Sequence, residues 1–136
     1  MGVVPRWPGK IRKMGATVKR DMDLCREILR CVEKHERANE AFLLKIEDRS
    51  AEEISYHVKI LGQAGLLEIY HPPQGTAHLP IALTWAGCEF MEATRDDQKW
   101  TDYKAKARKA TGTIAFEVLK SVISTAVEAG VKGLMS

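Results

Sequence analysis

Hydrophobic and polar positions change period several times along this chain. Over residues 19–35, Leu24, Ile28, Cys31, Val32 and His35 recur at helical spacing, with Cys25 beside them. Asp21 or Thr17 is placed to cap that helix, and Asp21 and Asp23 suit its N-terminus. Residues 41–46 alternate instead, with Phe42, Leu44 and Ile46 against Leu43 and Lys45, which predicts a short strand. Residues 50–63 return to helix. Ser50 and Glu53 have the spacing of a capping box, and Ile54, His57, Val58 and Leu61 fall on one stripe. Ser55, Tyr56, Lys59 and Gln63 fall on the opposite face, and Gly62 and Gly65 weaken and end the helix.

Residues 66–71 and 78–84 read as two strands around the sequence PPQGTA. Pro72 and Pro73 cannot continue a ladder and Gly75 supplies a turn, so this is a hairpin. Residues 84–95 form a helix capped by Thr84, with Cys88, Phe90 and Met91 as its apolar contacts. Asp96 and Asp97 cap a further helix through Trp100, Tyr103, Ala107 and Ala110. Thr111-Gly112 breaks it. Thr113 then caps a last helix, whose apolar surface from Ile114 to Val131 is broader than one docking stripe needs.

This order predicts an α+β fold: a winged-helix-like domain with a β-hairpin wing and extra C-terminal helices. The domain plan is a basic flexible arm (1–18), a winged-helix-like core (19–95) and C-terminal helices with a possible dimerisation role (96–136). One feature departs from a full helix-turn-helix. Only residues 47–50 separate the first strand from the recognition helix, so the supporting second helix is missing or reduced to a turn.

Charge changes the picture. The net charge is +3 over 136 residues. Residues 1–20 carry six basic side chains (Arg6, Lys10, Arg12, Lys13, Lys19, Arg20) and no acid. Residues 21–98 carry eight basic and fifteen acidic side chains, and residues 99–136 seven and three. DNA affinity is largely phosphate neutralisation. Any attraction to DNA therefore comes from the basic ends, with Lys104 and Arg108 as the C-terminal candidates. Residues 1–18 read either as a disordered tail or as an arm lying along phosphate.

The chain carries no nucleophile–base pair, no phosphate-binding glycine loop and no HExxH motif, so no enzyme activity is expected. Ser55 and His57 point to different faces of one helix. His57 reads as a core histidine. His71 and His78 flank the hairpin tip, but no metal-ligand spacing accompanies them, so neither metal nor other cofactor is expected. The cysteines, Cys25, Cys31 and Cys88, read as reduced and mostly buried thiols of a cytoplasmic protein. The apolar run at 113–135 carries Glu117, Lys120, Glu128 and Lys132, which argues against a membrane span.

Three segments, KRDMDLCREIL at 19–29, ISYHVKILGQAGLLE at 54–68 and LTWAGCEFMEATRDDQKW at 83–100, resemble a bacterial and phage family catalogued as domain of unknown function 2513. The resemblance covers residues 19–120. Cys88 stands where the family usually has a histidine. The resemblance implies a winged-helix-like domain often carried by phages and mobile elements, and no catalytic residues. The expected function is that of a winged-helix DNA-binding transcriptional regulator of phage or mobile-element origin. Ser55, Tyr56, Lys59 and Gln63 would face the groove of double-stranded DNA, and Arg6, Lys10, Arg12, Lys13, Lys19, Arg20, Lys104 and Arg108 would hold phosphate. A homodimer is expected through the last helix. The alternative is a winged helix that binds a protein partner.

Overall fold

A computed structural model describes residues 19–35, 39–75, 77–112 and 114–135. Among them are five helices and one two-stranded antiparallel sheet, an α+β fold. In chain order they are α1 (Met22–Lys34), α2 (Ala51–Gln63), β1 (Leu67–Tyr70), β2 (Leu79–Leu83), α3 (Trp85–Ala93), α4 (Asp97–Thr111) and α5 (Phe116–Met135). Thr17 and Thr113, expected as caps, lie outside the described residues, as does the arm 1–18.

Helix α1 starts at Asp21, whose carboxylate accepts the N–H groups of Asp23 and Leu24. Its buried face is wider than the stripe read from the sequence. Met22, Leu24, Cys25, Ile28, Leu29 and Val32 are all buried, while Cys31 and His35 are only partly covered. The reason is that α1 packs against α2 on one side and against β2 and α3 on another. Burying Ile28 and Leu29 completely stabilises the fold by about 2 kcal/mol each.

Residues 41–46 do not form a strand. Phe42, Leu44 and Ile46 do turn towards the core and alternate with exposed Ala41, Leu43 and Lys45. The backbone, however, makes one bond to the sheet, from Phe42 N–H to Pro80 O at 3.2 Å. Proline in the facing strand has no N–H to return, so the ladder does not propagate. Residues 47–50 are a turn, with Asp48 at a positive φ of 67°.

Helix α2 has the capping box in full. Ser50 Oγ accepts from Glu53 N–H and Glu53 accepts from Ser50 N–H. It ends in a Schellman turn: Gly65 N–H donates to Gly62 O, Leu66 N–H donates to Leu61 O, and Gly65 takes a φ of 80°. The chain then enters β1. The hairpin pairs Leu67 with Leu83, Glu68 with Ala82, Ile69 with Pro80 and Tyr70 with Leu79, so Ile81 is a bulged extra residue.

Helix α3 is clamped to the end of α2. Thr84 Oγ1 donates to Gly65 O and accepts from Gly87 N–H, and Thr84 N–H donates to Leu66 O. Phe90 and Met91 face the core, but Cys88 is exposed, contrary to the apolar contact expected of it. The expectation of mostly buried thiols holds for Cys25, which burial pushes up to about 12, and fails for Cys88. Helix α4 is capped by Asp96 and ends at Gly112, whose φ is 80°. It puts Trp100, Tyr103 and Ala107 into the same core, although Ala110 is exposed. Helix α5 adds Leu119 and Ile123. The C-terminal helices therefore share one core with α1–α3. No described helix is long and apolar enough to cross a membrane.

Candidate nucleic-acid interface

The start of α1 is the point where three elements meet. His57, fully buried on α2, accepts the Asp21 N–H on Nε2 at 2.9 Å and faces Glu53 O through Nδ1 at 2.8 Å. Arg49, in the turn before α2, donates to Asp21 at 2.9 Å and to Glu53 at 3.2 Å. Burial pushes the Asp21 carboxyl up, but the Leu24 N–H and the Arg49 guanidinium outweigh it and hold it below the usual range. On the other side, Asp23 accepts from Trp100 Nε1 at 2.8 Å and from Lys104 Nζ at 2.6 Å, both on α4. These two donors hold its carboxyl low in the same way, against burial. Lys19 and Arg20, both exposed, lead directly into this junction.

Behind it lies a second polar cluster that the sequence reading missed. Arg26 sits on the buried face of α1 and is only 8% exposed. Its Nε and Nη2 donate to Thr94 O at 3.0 and 2.7 Å, and Nη2 also reaches Arg95 O and Asp97 Oδ1. One guanidinium thus satisfies the C-terminal carbonyls of α3 and an acid in the first turn of α4. The readable signal was a cation between Cys25 and Ile28 on an apolar face. Arg95 adds a two-bond pair to Glu33 at the far end of α1.

The four groove-facing candidates on α2 have different fates. Lys59 and Gln63 are exposed, and Tyr56 is half-buried with its ring edge-on to His57. Ser55 is also half-buried, and its Oγ accepts the His78 N–H at 2.8 Å, so it anchors the hairpin. Of the phosphate candidates, Arg6, Lys10, Arg12 and Lys13 lie outside the described residues. Lys104 is committed to Asp23, with its side chain 19% exposed. Arg108, one turn further along α4, is exposed, as are Lys99, Lys106 and Lys109. The hairpin tip, 72–75, carries no cation. Beside it, His71 and His78 stack with ring centroids 4.2 Å apart, and burial, with His71 and Lys59 nearby, pushes His78 down. Parallel stacked rings do not converge on one point, and no metal-holding group occurs among the described residues.

Apolar side chains are exposed elsewhere. Trp85 is 83% exposed, Leu43 67% and Tyr70 45%.

Comparison with known proteins adds a family and no activity. The family described as "Hypothetical protein (DUF2513)" matches residues 19–113. An "Uncharacterized protein" of Haemophilus influenzae is 29% identical over 113 residues, covering 81% of this chain and 96% of that protein. No solved structure matches.

Proposed function

Because the chain belongs to the DUF2513 family, whose description carries no activity, its role has to be argued from its own residues, and we propose that it is a winged-helix-like DNA-binding regulator, of phage or mobile-element type. Helix α2 is the reader and the β1–β2 hairpin the wing, with the supporting helix reduced to the turn at 47–50. The observation that supports this best is the 2.9 Å bond from Asp21 N–H to His57. It ties the start of α1, with the exposed Lys19 and Arg20 just before it, to the buried stripe of α2, whose opposite face leaves Lys59 and Gln63 exposed. Lys19, Arg20 and Arg108 hold phosphate, joined by Arg6, Lys10, Arg12 and Lys13. Tyr56, Lys59 and Gln63 meet base edges, and Ser55 positions the hairpin.

The test is duplex binding by the whole protein, comparing its own upstream region with a scrambled duplex at two salt concentrations. Engagement of about six phosphates gives a log–log salt slope near −5. The expected result is a preference for the native sequence that survives near-physiological salt, and a loss of about tenfold in that preference for Y56A/K59A. Sequence-blind binding that disappears with salt, or none, overturns the reading.

A second reading, a winged-helix-like module that engages a protein partner, is favoured by the exposed Trp85, Leu43 and Tyr70 and by the uncharged hairpin tip. It predicts that a partner captured by the protein is lost on W85A or L43A, while Y56A/K59A leaves capture unchanged.

A further inference from the structure

A groove of 670 Å³ runs between α3 and α5. Its floor is apolar, with Phe90, Ala93 and Ile123. Its α5 wall presents Lys120, Ser124, Val127 and Glu128. These four are exposed, and Val127 is 48% so. Leu119 and Ile123, on the adjacent stripe, are spent on the core. The open stripe has a particular charge order. Lys120 and Glu128 lie one turn on either side of Ser124, and the Lys120 ammonium rests 5.5 Å from the Phe116 ring centre.

We infer that this face of α5 pairs antiparallel with the same face of α5 in a second copy of the chain, about a two-fold axis at Ser124. A two-fold interface is self-complementary: if residue i meets residue j, then j meets i. With the axis at Ser124, Lys120 of each copy meets Glu128 of the other. Parallel pairing would oppose Lys120 to Lys120 and Glu128 to Glu128, so the charge order selects the antiparallel arrangement. Small side chains at the crossing, Ser121 and Ser124, let the helices approach to about 9 Å. They also leave the hollow into which Val127 of the other copy packs. The pairing does not depend on DNA binding.

Light scattering and sedimentation of the full chain test it. The wild type has about twice the 15.2 kDa of one chain. K120E and E128K each set like charges against one another at both ends of the interface, and each weakens the dimer by about tenfold or more. The double variant K120E/E128K restores the pairs in reverse and recovers the wild-type mass. Both positions changed are exposed, so the circular dichroism spectrum stays as in the wild type, while the melting temperature of each single variant falls by the stabilisation that dimerisation had supplied and recovers in the double variant. A monomeric wild type, a dimer unmoved by either single change, or a double variant that remains dissociated overturns the proposal.

Discussion

The Nε2 atom of His57 accepts the backbone N–H of Asp21 across 36 residues of sequence, at 2.9 Å. With Nε2 an acceptor, the ring carries its proton on Nδ1, which donates to Glu53 O at 2.8 Å. One buried ring therefore joins the first turn of α1 to the first turns of α2. Replacing His57 by Ala empties its volume and orphans the Asp21 N–H. The expected loss is about 3 kcal/mol in urea unfolding. H57Q, whose amide oxygen can accept the same N–H, recovers part of it. A loss below about 1 kcal/mol for H57A would mean that the bond carries little weight.

Arg26 makes the corresponding join between α1 and the α3–α4 corner. Its fork serves two carbonyls and a carboxylate, and R26A leaves Thr94 O buried without its guanidinium donors. Destabilisation of about 3 kcal/mol is expected. R26K keeps the charge but not the fork, and recovers less than half of it. Hydrogen exchange should localise the damage to α4. Equal stability of R26K and the wild type would show that charge alone suffices.

Gly87 reverses a general rule. Gly→Ala within a helix ordinarily stabilises by about 1 kcal/mol. Here a Cβ would lie 2.1 Å from Leu66 O, a backbone atom that the α2 exit turn and the Thr84 bond hold in place. G87A is therefore expected to destabilise by about 3 kcal/mol. G62A is the control. Its Cβ would meet Ile69 Cδ1 at 2.8 Å and Cγ1 and Cγ2 at 3.1 and 3.2 Å, side-chain atoms that yield at less cost than the Leu66 backbone oxygen. A lower melting temperature for G62A than for G87A would contradict this account.

These particulars show where sequence was a sufficient guide. Caps and stops are local, so Asp21, Ser50 with Glu53, Thr84, Asp96, Gly65 and Gly112 all act as their positions suggest. Core membership was legible for α2, which presents a single stripe, and less so for α1, which is covered on two sides. The segment 41–46 has the alternation of a strand without its ladder, because pairing depends on the facing residue, here Pro80. The candidate interface was least legible. Lys104 and Ser55 look like free polar groups in the sequence, yet each is committed to a partner more than twenty residues away. The joins through His57 and Arg26 are likewise tertiary, and no periodicity encodes them.

The two carboxylates at the start of α1 make an acid-sensitive joint. Burial pushes both up. For Asp21, the Leu24 N–H and Arg49 outweigh that, and for Asp23, Lys104 and Trp100 do, with Arg26 adding its charge. Both therefore titrate below their ordinary value of 3.8. A carboxyl that is more acidic in the folded chain binds fewer protons there than when unfolded, so acid favours unfolding. The stability it contributes is present in full above pH 3.8 and is lost as pH falls through the lower folded value. Melting temperatures measured from about pH 5 down to pH 2 should fall for the wild type along this limb. D21N keeps an N-cap oxygen but takes up no proton, and D23N likewise removes a titrating group. Each variant is less stable at neutral pH and shows a shallower acid limb. Part of the slope remains, since Arg95 holds Glu33 low and Arg26 holds Asp97 low. An acid limb as steep in D21N/D23N as in the wild type would place the sensitivity elsewhere in the chain.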